Sequence, residues 1–466
     1  MLQNPSTGSF SGPVAAAPRR ALVSWALFDW AAQPFYTLVL TFLFAPYFAS
    51  VVVGDVARGQ SLWGYGAAAA GVLIAIGSPL LGALADGRGK RKPWIALFAT
   101  LLITCLSALW LATPSASTAT LAVILVSFVL ATAAAEFMSV FVNAMMPGLV
   151  PPNQLGRLSG IGWATGYAGG LVSLLIMAGL IVASVTTGKT ILGLDPILAL
   201  DKASHEGDRL VGPFAAAWFA LFVIPFFVFV PDVKRATSAD ARLKRGAFSE
   251  LWDTIRSLPS QPSMLFFLIA RMIYSDGLSA IFAFGGIYGT SVFGWGALEL
   301  GLFGIALTLT GVFGAVIGGF IDDRAGSKTV ILTSLAILIV GALGILSVDK
   351  THVLYSIEVA PKVAGSGAFS SAGERVFLAF AILVGLVAAP VQSASRALLA
   401  RLAPPDKITQ YFGLFAFSGK VTAFMAPLMV AAVTQATGDQ RLGMASIVLF
   451  LVAGMLLMLP VRERVA

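Results

Sequence analysis

Gly82-Ala-Leu-Ala-Asp86-Gly-Arg-Gly89-Lys-Arg91 follows one long apolar stretch, and Gly319-Phe-Ile-Asp-Asp323-Arg-Ala-Gly326-Ser-Lys328 follows another in the second half of the chain. Each string sets an acid four residues after a glycine, a second glycine three residues after the acid, and cations beyond it. Glycines let two helices approach closely. An acid at such a place can cap a neighbouring helix N-terminus or pair with a cation across an interface. The strings therefore read as a matched pair of interface loops, Gly82, Asp86, Gly89 and Arg91 in the first and Asp323, Arg324 and Gly326 in the second.

The surroundings are those of a membrane protein. Hydrophobic residues make up 58% of the 466 residues and charged residues 11%, against roughly 25% charged in a soluble domain. Mean hydropathy is +0.89. This excludes a soluble enzyme, a nucleic-acid binder and a disordered chain. Apolar windows fall at 21–52, 61–85, 94–112, 118–147, 158–186 and 211–231, then at 263–291, 300–320, 329–348, 376–399, 411–435 and 442–460. Each suits one crossing of about 20 residues. The predicted organisation is a cytoplasmic tail (1–20), a six-helix bundle (21–231), a linker (232–262), a second six-helix bundle (263–460) and a short tail (461–466). The linker carries Lys234, Arg235, Arg242, Lys244, Arg245 and Arg256, and Phe248, Leu251, Trp252, Ile255 and Leu258 have helical spacing, which predicts an interfacial helix.

Charge sets the orientation. With the N-terminus inside, 19 of the 30 Lys and Arg fall in cytoplasmic segments, 8 in external segments and 3 within helices. The positive-inside rule selects both termini cytoplasmic. The net charge of +8 is thereby explained without a polyanionic partner. Both histidines, His205 and His352, lie in predicted external loops, so no histidine relay crosses the membrane. Cys105 is the single cysteine, and no internal disulfide is possible.

The halves repeat. Asp29 in the first span matches Asp276 in the seventh; Leu149-Val-Pro-Pro-Asn153 matches Leu402-Ala-Pro-Pro-Asp406, and at that offset Gly160 meets Gly413 and Gly166 meets Gly419. Two similar bundles about an axis along the membrane normal place a site between them at mid-depth.

The Gly-x-Leu-Ala-Asp-x-x-Gly-Lys-Arg string resembles the signature loop of the major facilitator superfamily. Ser24-Trp-Ala-Leu-Phe-Asp-Trp30, Arg271-Met-Ile-Tyr-Ser-Asp276 with Phe284-Gly-Gly-Ile-Tyr-Gly289, and Ser418-Gly-Lys-Val-Thr-Ala-Phe424 with Pro427 resemble motifs of its vacuole-effluxer-like branch, also called the unknown major facilitator family. The resemblance covers residues 20 to 460. It implies a twelve-helix, all-α membrane transporter, and amino-acid efflux by analogy with fungal relatives. This chain departs from the family at Ala32-Gln33, where members often have Asn-Ser. Its compactness suggests a bacterial plasma-membrane member, or a vacuolar membrane if the source is eukaryotic.

Six ionisable residues fall within spans: Asp29, Glu136, Arg271, Asp276, Arg396 and Lys420. A charge at mid-bilayer costs at least about 2.5 kcal/mol, so these must face the interior, water or one another. Glu136 and Asp276 sit mid-span, Asp29, Arg271 and Lys420 in the cytoplasmic half, and Arg396 near a helix end from which it could snorkel. A zwitterion needs a cation for its carboxylate, from Arg271 or Lys420, and an acid for its ammonium, from Asp29 or Asp276. Gln33 and Tyr36 share the Asp29 stripe, Tyr274 neighbours the Arg271–Asp276 pair, and Asn143 shares a face with Glu136, completing the candidate substrate site. Glu136, with few polar neighbours in sequence, is the candidate proton carrier. Gly285, Gly286 and Gly289 could break the seventh helix at an external gate.

The leading expectation is a monomeric secondary transporter for a small-molecule substrate, working by alternating access in a lipid bilayer, without cofactor, metal or nucleic acid. Gly188-Lys-Thr190 lacks the upstream glycine of a phosphate loop. A lipid flippase or scramblase on the same fold is the alternative, predicting less dependence on Asp29 and Asp276.

Overall fold

A computed structural model of the chain describes residues 16–232, 246–363 and 367–463. The basic run from Lys234 to Arg245, most of the first predicted tail and half of the second lie outside these residues. Among the described residues the one sheet is a two-stranded hairpin, β1 (His352–Val353) with β2 (Ile357–Glu358). The rest of the ordered backbone is helical.

The first bundle holds α1 (Arg19–Val52), α2 (Val56–Arg88), α3 (Lys92–Leu111), α4 (Thr118–Gly148), α5 (Pro152–Ile181) and α6 (Glu206–Phe229). The linker helix α7 (Ala247–Ser257) follows. The second bundle holds α8 (Pro262–Phe293), α9 (Ala297–Ala325), α10 (Ser327–Leu346), α11 (Ala372–Leu402), α12 (Ile408–Ser418), α13 (Met425–Thr437) and α14 (Gln440–Met458). Among the described residues eleven helices are long and apolar enough to cross a membrane. The remaining passage is made in two pieces, α12 and α13, joined by turns over residues 419–424.

The glycines of the seventh span allow either a break or close packing, and the structure shows packing. α8 runs unbroken through Gly285, Gly286 and Gly289. Gly289 is instead a packing position, its missing side chain leaving room for the Trp295 ring. A second irregularity lies in α1, which widens into π-helix over Phe35–Phe42 and again over Phe48–Val52. The first begins after Pro34, which has no N–H to give to the preceding turn.

Local chemistry sets the ends. Asp55 and Ser117 cap α2 and α4 by accepting from Arg58 N and Thr120 N. Ser371 and Glu374 form a capping box on α11. Gly89 and Gly326 end α2 and α9 at φ of 84° and 85°, positive values that disfavour a side chain, so both strings need glycine at that place although their ψ angles differ.

Both described chain ends lie on one face. Ala17 N donates to Leu149 O at 2.7 Å, while Ser327 N and Lys328 N donate to Glu463 at 3.0 and 2.7 Å. This face, which carries both glycine–aspartate strings, is termed terminal; the opposite one is distal. On the distal face Lys362 from the α10–α11 loop meets the fully buried Glu374 at 2.8 Å, and Trp295 Nε1 donates to the same carboxylate at 2.9 Å. The bond to Glu374 holds the Lys362 ammonium above its usual pKa.

The bundles meet along two seams, α2 against α12 and α5 against α9. Glycine makes both possible. A Cβ on Gly82 would stand 2.6 Å from Thr409 O, and one on Gly413 2.6 Å from Pro79 Cα. Gly160 lies equally close to Ala315 and Gly319 in the other seam.

Candidate functional site

The terminal face is latched twice, by equivalent means. Asp86 accepts from Thr409 N at 3.3 Å and Gln410 N at 2.9 Å, so its carboxylate caps α12 across the seam. Arg91 holds Asp86 at 3.4 Å and donates to the Thr409 hydroxyl at 2.8 Å. In the second half Asp323 accepts from Arg157 N at 3.1 Å near the start of α5. The flanking contacts match too: Asp232 receives Arg91 N and Lys92 N at 3.0 and 3.3 Å, as Glu463 receives Ser327 N and Lys328 N. Burial lowers the pKa of the Arg91 guanidinium, and Asp86 opposes that shift.

The second latch uses a different cation from the one expected. Arg324 is exposed. Arg401 on α11 does the work, at 2.6 Å from Asp322, 2.9 Å from Glu463 and 3.8 Å from Asp323, and it donates to Pro152 O across the seam at 3.2 Å. Asp322, Arg401 and Glu463 were not singled out from sequence.

Deeper in the seam, Arg396 is buried and does not snorkel. Its guanidinium reaches Asp29 on α1 at 3.1 Å, Asn143 on α4 at 3.1 Å and the Ser159 hydroxyl on α5 at 2.8 Å. It lies 5.0 Å from the centroid of the Trp25 ring, whose Nε1 donates to Val142 O at 2.9 Å. Asp29 and Asn143, expected to meet substrate, are thus engaged by a cation from the opposite bundle.

Beyond this point lies a further cross-bundle ion pair, Lys420 to Glu136 at 2.9 Å. Glu136 has few polar neighbours in sequence; its partner comes from the interruption between α12 and α13. The pair is only partly covered by the protein, with side chains 34% and 19% exposed. Tyr36 sits by Glu136, Asp29 and Ser139. Gln33 lies near Thr37 and faces Gly166 and Gly170 of α5. Arg271 feels the Glu136 charge and lies over the Phe415 ring, donating to Phe415 O at 2.6 Å and Ser418 Oγ at 2.9 Å. Tyr274 is buried and shares a hydrogen bond of 2.6 Å with Ser395. Asp276 is 2% exposed, and its Oδ1 has no partner among the described residues. The side chains named from sequence therefore divide into Asp29 and Asn143 in the seam, Tyr36, Glu136, Arg271 and Lys420 around one polar site, and Tyr274 and Asp276 buried behind it.

Every hydrogen bond and ion pair joining the bundles among the described residues lies at Glu136–Lys420 or on its terminal side. Two bundles closed at one face around a mid-depth polar site define a membrane transporter of the major facilitator type. The comparisons agree with that class. The fold matches the fucose–proton symporter FucP in its outward conformation, with TM-score 0.69 at 14% identity over 96% of this chain and 99% of that one. It also matches the proton:xylose symporter XylE, with TM-score 0.67 at 13% identity over 95% of each chain. The family model described as "Vacuole effluxer Atg22 like" matches residues 48–465, and the chain belongs to that family. The uncharacterized MFS-type transporter YxiO of Bacillus subtilis is 23% identical over 94% of both chains. Autophagy-related protein 22 of Cryptococcus neoformans is 28% identical over 66% of this chain, which spans 52% of that protein. The chain is a multi-pass membrane protein, and its relatives are transporters rather than enzymes.

Proposed function

We propose that this chain is a secondary transporter that exports small zwitterionic metabolites, amino acids foremost, across a bacterial inner membrane by alternating access driven by protons. It works as a monomer, with both termini cytoplasmic and α7 in the membrane interface, where the exposed Phe248 and Trp252 suit it. The reading is carried by one observation, the partly exposed Glu136–Lys420 ion pair that bridges the two bundles at mid-depth.

An acid and a base already paired are a receptor for a molecule that is both. The substrate ammonium replaces Lys420 at Glu136, and the substrate carboxylate takes Lys420, with Arg271 adding a second positive pole. Exchanging an internal pair for two external ones keeps every charge compensated in a low-dielectric cavity. Because the internal pair joins the bundles, splitting it alters what holds them together, which is the differential interaction that alternating access requires.

The test is counterflow in proteoliposomes preloaded with pooled amino acids and probed with labelled members of the pool. Saturable accumulation lost in Lys420→Gln is expected. A flat result from folded protein overturns the amino-acid assignment and directs the search to other metabolites or to lipids.

A further inference from the structure

Asp29 and Asp276 occupy matching places in the repeat, yet their surroundings differ. Asp29 is neutralised across the seam by Arg396. The offset that aligns Gly160 with Gly413 and Gly166 with Gly419 aligns Asn143 with Arg396. The first half therefore offers an uncharged amide where the second half offers a guanidinium. Asp276 has lost the cation that its counterpart keeps.

Among the described residues packed against α8, the one cation whose charge reaches Asp276 is Arg271, and it forms no ion pair or hydrogen bond with it. Arg271, on the same helix, is committed to Phe415 O, Ser418 Oγ and the Phe415 ring. Tyr274 is taken by Ser395. From α11, Arg396 is held by Asp29, Asn143 and Ser159, and Arg401 by Asp322 and Glu463, while Glu374 and Arg375 lie at the distal start of that helix. α12 and α13 carry no charged residue, and Lys420 between them holds Glu136. α14 presents Phe450 and Leu451 beside Gly277, and its Arg441 is bound at the distal end to Leu346 O. The one polar neighbour of Asp276 from the interruption is Thr422, whose hydroxyl is also buried without a formed hydrogen bond.

We propose, building on the transport reading, that Asp276 is the site that takes up the coupling ion, a proton, and that it is separate from the substrate site at Glu136 and Lys420. A buried carboxylate with no ion-paired cation and an unbonded oxygen is stabilised by neutralisation. The proton adds to a carboxylate oxygen to give a carboxylic acid, whose O–H can donate to Thr422 Oγ1; return of the proton to water regenerates the carboxylate. Coupling follows from position. Thr422, beside the proton site, and Lys420, in the substrate site, stand two residues apart in the same turn segment, so a change of charge at Asp276 is delivered to the segment that holds Glu136.

Two measurements test this. The first is the pH-difference infrared spectrum of the protein in liposomes, which needs no substrate. A protonated-carboxyl C=O band is expected in wild type and in Glu136→Gln, absent in Asp276→Asn and restored in Asp276→Glu. Persistence of the whole band in Asp276→Asn overturns the proposal. The second compares exchange with pH-gradient-driven uptake of labelled amino acids. The ratio of exchange to driven uptake is expected to rise by about tenfold in Asp276→Asn, within the usual range of coupling energies; an unchanged ratio overturns the proposal. If wild type carries no amino acid, the substrate reading fails and the infrared result alone decides the proton site.

Discussion

Arg396 on α11 and Asp29 on α1 form an ion pair of 3.1 Å across the seam between the bundles. The same guanidinium binds Asn143 and Ser159, so one side chain ties together three helices of the opposite bundle. Removing one partner of a fully buried pair costs about 3–5 kcal/mol; Arg396 is buried but the Asp29 side chain is 26% exposed, so the cost here is smaller and falls on the guanidinium left uncompensated. Asp29→Asn will therefore loosen the terminal closure. The measurement is thiol labelling from the terminal side of Ser78→Cys, a residue buried in the seam. Labelling should rise at least about tenfold for a loss above 1.4 kcal/mol. Background is low because Cys105, the single native thiol, is buried.

The Glu136–Lys420 pair gives a different pattern. Lys420→Gln and Glu136→Gln each reduce counterflow by about tenfold or more, the scale of one lost charge-assisted contact. Swapping the pair, Glu136→Lys with Lys420→Glu, returns thermal stability but not transport. Arg271 stays where it is, so the swapped site splits its positive pole between the two bundles. Recovery of full counterflow in the swap would count against Arg271 as part of the carboxylate site.

Seam glycines test the rocking motion by steric means. Gly82→Val forces a side chain against the Thr409 carbonyl, and Gly413→Val does the same against Ser78 and Pro79. Both should prevent terminal closure and stop transport, with Ser78→Cys labelling raised as in Asp29→Asn. Gly64→Ala is the control, since nothing lies within 4 Å of a Cβ there, and its transport should match wild type.

On the distal face, Lys362→Met removes the cation from buried Glu374 and should lower the melting temperature. The gap to wild type depends on pH. Because Glu374 raises the Lys362 pKa in the folded state, the stabilisation is full below the ordinary lysine value of about 10.4 and fades as pH rises through the folded value. Melting curves from neutral to strongly alkaline pH should converge. A constant gap would mean that the variant acts through packing alone.

The fold was readable because membrane spans announce themselves as apolar windows, and because the second copy of the Gly-x-x-x-Asp string located the repeat. Arg396 was harder. Its position near a helix end suggested snorkelling, and its partners come from three helices far away in sequence. The repeat offset that pairs it with Asn143 was the available signal. Arg401 and Glu463 were hidden because their roles depend on three segments converging at the terminal face. The interruption between α12 and α13 carries no proline within it; Gly419 and Lys420 mark it, but glycines in α8 gave an equally plausible local pattern that tertiary packing filled with Trp295.

The two-piece passage has a mechanical consequence. α12 is clamped by Asp86 at one end, whereas α13 is separated from that clamp by six residues of turn. A rigid rod through the membrane would transmit every tilt at one face to the other. On the proposed transport reading, the distal piece is free to close over a bound solute while the terminal piece stays locked, so a stage sealed at both ends is the expected intermediate of the cycle.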